Sequence, residues 1–261
     1  MTASSDEWGR RPRDWAELAE PSNEPLFAEV LRELNIGAGR ALLDIGCGSG
    51  YAARMAAALG ATVTGIDITP DLIEIARERV PIADFRIAGM DTLPFEDNTF
   101  DAAVGFNSFQ FADDPARAVQ EAARVVKHGG LVAATTFAEP ERNESTALHL
   151  ALEPLRHGAP AATTPKHLPY ELSTPGGLEA LLTKASLAPV TSGEVPLNWA
   201  HRNAAEAVRA ILASAGGAMA IEAAGEDAAR TTLENALTPF TRPDGTVSMS
   251  NVFRYAIGRR V

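Results

Sequence analysis

Continuous apolar runs alternate with amphipathic segments along the first half of the chain. Residues 41–45 and 62–66 are mostly apolar, whereas the apolar residues of 51–59 recur at i, i+3, i+4 and i+7. The continuous runs are typical of buried strands and the periodic segment is typical of a helix. The same criteria predict further strands at 84–88, 101–106 and 131–137, and helices at 24–34, 70–80 and 115–127, the last stopped by His128-Gly129-Gly130. Thr69-Pro70 and Asp114-Pro115 are N-cap and first-turn pairs for two of these helices.

Strands that alternate with helices at this spacing indicate βαβ units, and hence a parallel sheet with helices on both faces. Beyond residue 138 the alternation loosens. There the sequence predicts helices at 145–156, 176–185, 203–214 and 226–237, and strands at 188–197 and 251–258. Much of this region is too long to be ordinary connections of about 4–6 residues. We therefore predict helical lid insertions at 139–172 and 196–247, over the edge of the sheet.

These boundaries predict one domain over residues 1–261. An N-terminal helical segment (1–37) precedes a ligand-binding core (38–138), and the two insertions follow. Hydrophobic residues make up 46% of the chain and charged residues 22%, which is sufficient for a sizeable core.

Charge and cysteine content restrict the class of protein. Lysine and arginine number 23 against 34 acidic residues, and the net charge of −11 opposes general attraction to nucleic acid or an anionic membrane. Cys47 is the single cysteine, so neither an internal disulfide nor a multi-cysteine metal site is possible, and we expect no metal. No apolar run approaches about 20 residues, and the N-terminus lacks a signal-peptide core. We expect a cytoplasmic protein without nucleic-acid or membrane partners.

The segment LLDIGCGSG, at residues 42–50, is the most informative motif. Its glycines allow the backbone to approach a ligand closely and direct a helix N-terminus at it. A dinucleotide-binding loop requires G-x-G-x-x-G/A, but Tyr51 occupies the position that should be small. Asp44 would also repel a pyrophosphate, whereas a zwitterion that carries an ammonium and a sulfonium would suit it. The residues favour such a ligand over a dinucleotide.

Three further blocks follow at the ends of the predicted strands. Asp67 ends the second strand, where a carboxylate can accept hydrogen bonds from a ribose diol. Met90-Asp91 follows the third strand, where it could contact adenine, and FDAAVGFNSFQF occupies residues 100–111. In this order the four blocks resemble those of class I S-adenosylmethionine-dependent methyltransferases that act on small molecules. HGGLVAATTF, at 128–137, resembles that family's fifth motif.

The resemblance implies an α/β fold, with a doubly wound, mostly parallel seven-stranded sheet whose last strand, at 251–258, is antiparallel. It also implies methyl transfer from S-adenosyl-L-methionine to a small-molecule acceptor, with O-, N- or C-methylation left open. The alternatives are a protein of the same fold that binds the cofactor without methyl transfer and, less favoured, a nicotinamide-dependent oxidoreductase. The predicted cofactor-binding residues are Trp15, Asp44, Gly46, Cys47, Gly48, Gly50, Asp67, Ile68, Met90, Asp91, Phe106 and Asn107.

Direct displacement at a sulfonium needs no metal, but an acceptor hydroxyl or amine reacts faster when a base takes its proton. Histidine titrates in the useful range, and four residues of the insertions are candidates to line the acceptor pocket. They are His157, His167, Tyr170 and His201. An acceptor that is already an anion would need none of them. The sequence does not indicate the oligomeric state of the protein.

Overall fold

One seven-stranded sheet forms the centre of the computed structural model, which describes residues 5–157 and 170–261. In chain order the strands are β1 (Ala41–Ile45), β2 (Thr62–Asp67), β3 (Asp84–Ile87), β4 (Phe100–Gly105), β5 (Val126–Phe137), β6 (Leu187–His201) and β7 (Val247–Arg260). Their order across the sheet is β3-β2-β1-β4-β5-β7-β6. Strands β1 to β5 pair in parallel, and β7 pairs antiparallel with both β5 and β6. The predicted fold class is confirmed, including the antiparallel last strand.

The helices of the described residues cover both faces of the sheet and one of its ends. They are α1 (Ser5–Trp8), α2 (Pro12–Asp14), α3 (Glu24–Glu33), α4 (Tyr51–Ala58), α5 (Pro70–Arg79), α6 (Pro115–Val125), α7 (Thr146–His157), α8 (Tyr170–Ser173), α9 (Gly177–Lys184), α10 (Ala204–Leu212), α11 (Ala215–Ala224) and α12 (Glu226–Ala236). One apolar cluster lies on the α3 and α4 side of the sheet, and a second lies on the α6 and α9 side. The sheet is therefore covered on both faces, as predicted.

The two predicted helix caps behave differently. The Asp114 side chain accepts hydrogen bonds from the backbone N–H groups of Ala116 and Arg117, at 3.0 and 3.2 Å, and so caps α6. The Thr69 side chain makes no cap hydrogen bond, and its buried hydroxyl has no hydrogen-bond partner among the described residues. Its backbone N–H instead donates to the Asp67 carboxylate at 2.9 Å. The start of α5 is thus linked to the end of β2.

Two local predictions, at residues 128–130 and 196–201, are wrong, and one helix was not predicted. The segment 128–130 does not stop a helix, because α6 ends at Val125 and β5 runs through these residues with a register shift against β4. Helix α11 was not predicted, since Gly216 and Gly217 weaken helix propensity. A Cβ on Gly217 would lie 2.5 Å from the Leu212 backbone, so glycine permits α11 to follow α10 closely. Residues 196–201, assigned to an insertion, instead continue β6.

The helices that follow β5 and β6 share a third apolar cluster. Leu148 and Leu152 of α7 pack with α10, α11 and α12, and with Val247 and Met249 of β7. Among the described residues no single helix is long and apolar enough to cross a membrane. The pair Ala204–Leu212 and Ala215–Ala224 meets that test only when taken together, and it bends by 91°.

Candidate functional site

The glycine loop joins β1 to α4 at the carboxyl end of the sheet. Gly46, Gly48 and Gly50 have φ values of 72°, 54° and 77°, a region that strongly favours glycine. The N–H groups of Gly46 and Cys47 donate to the Ile66 carbonyl at 2.8 and 2.9 Å, which fixes the loop to the end of β2. The loop is therefore a rigid turn whose position the two central strands define.

Asp44 lies in β1 just before this loop and is 1% exposed. Neither oxygen of its carboxyl group has a hydrogen-bond partner among the described residues. Burial, with a further contribution from the charges of Glu20 and Asp67, raises the pKa of Asp44 to about 8. A buried carboxylate is stable only when it is paired. A cationic group such as an ammonium or a sulfonium would compensate this carboxylate.

Asp67 ends β2 and organises the loop as well as the cavity. One carboxylate oxygen accepts from the Gly48 N–H and the other from the Thr69 N–H, both at 2.9 Å. Burial raises the pKa of Asp67, and these hydrogen bonds oppose that shift. Each carboxylate oxygen can accept a further hydrogen bond, so Asp67 can hold a diol without releasing the loop.

Glu20 is a site residue that the sequence analysis missed. It is 6% exposed and accepts from the Ser49 N–H at 2.8 Å, from Arg79 Nη1 at 2.9 Å and from Trp15 Nε1 at 3.2 Å. Burial raises the pKa of Glu20, while hydrogen bonds from Ser49 and Arg79 and the Arg79 charge oppose that shift. Ser49 and Arg79 are distant from Glu20 in the sequence, and Glu20-Pro21 is typical of an ordinary helix start. No local signal marks it.

A cavity of about 250 Å³ extends from the glycine loop to the helices of the third apolar cluster. The described residues that line it include most of the predicted cofactor-binding residues, namely Trp15, Asp44, Gly46, Cys47, Gly48, Asp67, Ile68, Met90, Phe106 and Asn107. Ile68 is 41% exposed, although it is a large aliphatic residue, and so offers an apolar surface at the cavity. The structure brings these separate sequence blocks to one place.

Two predicted residues do not line this cavity. Gly50 begins α4, and a Cβ there would lie 3.0 Å from the Cβ of Ala76 and 3.3 Å from Phe85, so its small size serves packing. Asp91 has a buried Oδ1 without a hydrogen-bond partner among the described residues, while its backbone carbonyl accepts from Arg117 at 3.0 Å. Met90, its neighbour, is the residue of this pair that lines the cavity.

Cys47 and Asn107 shape the loop regions at the cavity. The Cys47 thiol is buried, and burial raises its pKa well above the usual value, so it is a compact apolar filler. Asn107 has a φ of 50°, and its N–H donates to Thr135 Oγ1 at 2.9 Å. This unusual backbone conformation turns the chain away from β4 beside the buried Phe106 ring.

The N-terminal segment forms an aromatic wall of the cavity. Trp8 and Trp15 contact each other edge to face, with ring centroids 4.8 Å apart, and Trp8 contacts Phe111 at 5.6 Å. All three rings line the cavity. Arg79 fixes the segment by donating to the Ala16 carbonyl at 2.9 Å, in addition to its contact with Glu20. The predicted place of Trp15 over the site is therefore consistent with the geometry.

Of the four candidate bases, His201 lines the cavity. It is 5% exposed, and its Nδ1 lies 3.8 Å from Glu206 Oε1. Burial lowers the pKa of His201, and the Glu206 charge opposes that shift. His167 lies outside the described residues, as do the side chains of His157 and Tyr170. His149, on α7, also lines the cavity and was not among the candidates.

Residues 43–134 match the family model described as a methyltransferase domain. Among the solved structures that share this Rossmann-like fold is an Aquifex aeolicus methyltransferase described as dependent on S-adenosylmethionine, with a TM-score of 0.52 at 19% identity over 70% of this chain and 92% of its own. The residues of this chain fit S-adenosylmethionine, because the unpartnered Asp44 carboxylate and the glycine loop line one cavity. Among the described residues no cluster of three or more histidine, cysteine or acidic side chains could hold a metal ion.

Known proteins resemble this chain in part of the sequence and in most of the fold. A demethylmenaquinone methyltransferase of Tropheryma whipplei is 38% identical over 112 residues, which are 42% of this chain and 46% of that protein. The chain thus matches less than half the length of this relative.

Two solved structures show the same fold over most of the chain. A Bacillus halodurans structure described as a methyltransferase has a TM-score of 0.58 at 16% identity, covering 90% of this chain and 98% of its own. The cyclase SpnF has a TM-score of 0.58 at 22% identity, covering 90% and 80%.

Proposed function

We propose that the protein transfers a methyl group from S-adenosylmethionine to a small-molecule acceptor. The observation that carries this proposal is the buried, unpartnered carboxyl group of Asp44 beside the glycine loop. A cationic zwitterion compensates that carboxylate, whereas a pyrophosphate is repelled by Asp44, Asp67 and Glu20 together. The demethylmenaquinone methyltransferase, whose name denotes a small-molecule acceptor, supports the same class of substrate.

Most of the predicted cofactor-binding residues have a role in this proposal. Asp44 orders the surroundings of the ammonium group, Gly46 and Gly48 pass beneath the methionine part, and Asp67 holds the ribose. Ile68 and Met90 flank adenine, and Phe106 and Asn107 meet the amino-acid end. Asp91, which does not line the cavity, has no direct contact with adenine in this proposal.

When bound, S-adenosylmethionine supplies a methyl group that is already electrophilic, so this chain has to position the acceptor and exclude water. The aromatic wall of Trp8, Trp15 and Phe111 excludes water from one side of the cavity. Helices α7, α10 and α11 exclude water from the other side, because their residues His149, Ile211 and Met219 line the cavity.

The test is turnover of labelled S-adenosylmethionine with fractionated metabolite pools. We expect S-adenosylhomocysteine and a methylated small molecule to form together in at least one fraction, and neither to form with the Asp44→Asn, Asp67→Ala double variant. Cofactor binding without label transfer to any fraction would show a binding protein instead. Binding of a nicotinamide cofactor in place of S-adenosylmethionine would overturn the proposal altogether.

A further inference from the structure

The last third of β6 forms a two-stranded ribbon with β7 that projects beyond the end of β5. The pairing of Phe137 with Phe253 is the last between β5 and β7, whereas β6 and β7 remain paired as far as His201 and Val247. Side chains alternate between the two faces of a strand. Along the projecting part of β6, residues 195, 197, 199 and 201 are buried or half-buried, and 196, 198 and 200 are exposed. One face of the ribbon is therefore an inner wall.

That inner wall is aromatic where it meets the cavity. Phe137 and Phe253 have ring centroids 4.4 Å apart, and each lies 6.2 Å from the Trp199 ring. All three rings line the cavity. Aromatic rings stack on other flat, apolar molecules and add to the free energy of simple burial. This end of the cavity is suited to a planar, apolar ligand.

Two polar groups interrupt the apolar wall. Trp199 Nε1 is a buried donor without a hydrogen-bond partner among the described residues. A buried donor without a partner is unfavourable, and a hydrogen bond to a ligand oxygen would satisfy it. His201 lies two residues further on the same strand face, a spacing of about 7 Å. A donor and a proton acceptor thus occur together on one wall.

Glu206 is the acidic neighbour of His201. Glu206 lies on the Nδ1 side of the imidazole, at 3.8 Å, and is itself held by Arg202 Nε at 2.5 Å and by the hydrogen bond from its N–H to Asn203. Because Glu206 lies beside Nδ1, we assign Nε2 to the ligand. Because burial keeps His201 neutral, the nitrogen is free of a proton before the ligand arrives.

The charge of the cavity selects against anionic acceptors. Among the described residues that line it there is neither lysine nor arginine, whereas Glu20, Asp44 and Asp67 are present. A phosphate or carboxylate on the acceptor would find no lysine or arginine side chain among these lining residues. The acceptor that fits an aromatic wall, a hydrogen-bond donor and a neutral histidine is an uncharged aromatic molecule with a hydroxyl group.

We propose that the acceptor is an uncharged phenol bound at Trp199, Phe137 and Phe253, with His201 as its general base. This inference rests on the proposed methyl transfer and specifies its substrate class. The phenolic proton passes to His201 Nε2, and an oxygen lone pair forms the new bond to the methyl carbon. The electron pair of the broken carbon–sulfur bond remains on sulfur, and Trp199 Nε1 donates to the phenolic oxygen throughout. The products are a methyl ether, S-adenosylhomocysteine and a protonated His201 that loses its proton to water.

The experiment uses 2-naphthol and 2-naphthoate as probes of the full chain saturated with S-adenosylhomocysteine. We expect 2-naphthol to bind at least tenfold more tightly than the equally flat but anionic 2-naphthoate. Trp199→Phe keeps an aromatic ring and removes the donor, so it should weaken 2-naphthol binding about fivefold to tenfold. Equal affinity for both probes, or unchanged affinity in Trp199→Phe, would overturn the assignment of this wall.

Turnover of 2-naphthol with S-adenosylmethionine tests the base. His201→Gln should lower kcat about 100-fold or more while KM changes less than threefold, because the base acts in the transition state. Exposed His128 provides the matched control, and His128→Gln should leave both constants unchanged. Equal kcat in the two variants would overturn the role of His201. Cofactor binding without any methylation of 2-naphthol would overturn the phenol alone, whereas failure to bind S-adenosylmethionine would overturn the proposed function itself.

Discussion

Asp44 is the residue whose charge state depends most directly on a ligand. Its pKa of about 8 means that the protonated form predominates at pH 7 in the protein without ligand. A cationic ligand stabilises the carboxylate and lowers that pKa, so binding must be coupled to release of a proton. The affinity for the cation should accordingly rise as the pH increases towards about 8.

Calorimetry in buffers of different ionisation enthalpy measures this coupling. At pH 7 we expect the natural chain to release more protons on binding S-adenosylhomocysteine than Asp44→Asn, by a sizeable fraction of one proton. The comparison removes the contribution of the ligand's own amino group, which is the same for both proteins. Equal proton release would contradict the role of Asp44 as the buried partner of the cationic group.

Gly48 is a second residue at which the chemistry of the loop can be isolated. A Cβ at this position would lie 2.5 Å from Glu20 Oε1, on a backbone with a φ of 54°. Gly39 has a φ of 78° but nothing within 4 Å of its Cβ position. Both substitutions to alanine place a side chain on a left-handed backbone, at a cost of about 1–3 kcal/mol.

We expect Gly48→Ala to weaken binding of S-adenosylhomocysteine at least tenfold, since Glu20 and the loop must move apart. Gly39→Ala should lower the free energy of unfolding by a similar backbone cost and leave binding unchanged. Isothermal titration and chemical denaturation of both variants test the pair. Unchanged affinity in Gly48→Ala would show that the loop conformation is not needed for binding.

At the scale of elements, the N-terminal segment is attached to the core through Glu20 and Arg79. The ion pair is 7% exposed on the glutamate side and 17% on the arginine side. Removing one member of a buried pair costs about 3–5 kcal/mol, because the other remains buried and uncompensated. By contrast, Arg13 and Glu78 link the same segment to α5 at the surface, with exposures of 65% and 54%, and such pairs contribute little.

Glu20→Ala should therefore detach the segment. We expect a loss of about 3 kcal/mol in the free energy of unfolding and faster cleavage by protease within residues 5–23, with Arg13→Ala close to the natural chain in both. Urea denaturation and limited proteolysis with mass spectrometry provide the comparison. If both variants are cleaved at the same rate, the surface contacts hold the segment and the buried pair does not.

The sheet was predictable because β1 and β4 consist mostly of apolar residues and end next to Gly46 and at Gly105. The position of β1 was predicted to the residue, and the helices α4, α5 and α12 to within one or two. Helix α11 was not predicted because its glycines have a low intrinsic helix propensity. Their small size allows α11 to lie close to α10. The ribbon at the end of β6 escaped prediction because its alternation is visible only once β7 supplies the pairing partner.

For the molecule as a whole, site residues that are close together in the sequence were easier to predict than those that only the fold brings together. Asp44 and the loop glycines are close together in the sequence, so their spacing was enough to favour a cationic ligand over a dinucleotide. Glu20, Trp199 and His149 reach the same cavity from three separate elements, and only the fold brings them together. His201 was predicted from chemistry alone, and its pairing with Glu206 depended on the turn between β6 and α10.

Direct titration of the full chain with S-adenosylmethionine, and separately with a nicotinamide dinucleotide, tests the central claim most directly. Asp44, Asp67 and the glycine loop predict saturable binding of S-adenosylmethionine at one site per chain, competed by S-adenosylhomocysteine, and no binding of the dinucleotide. Binding of the dinucleotide, together with the absence of any heat from S-adenosylmethionine at millimolar concentration, would contradict the account.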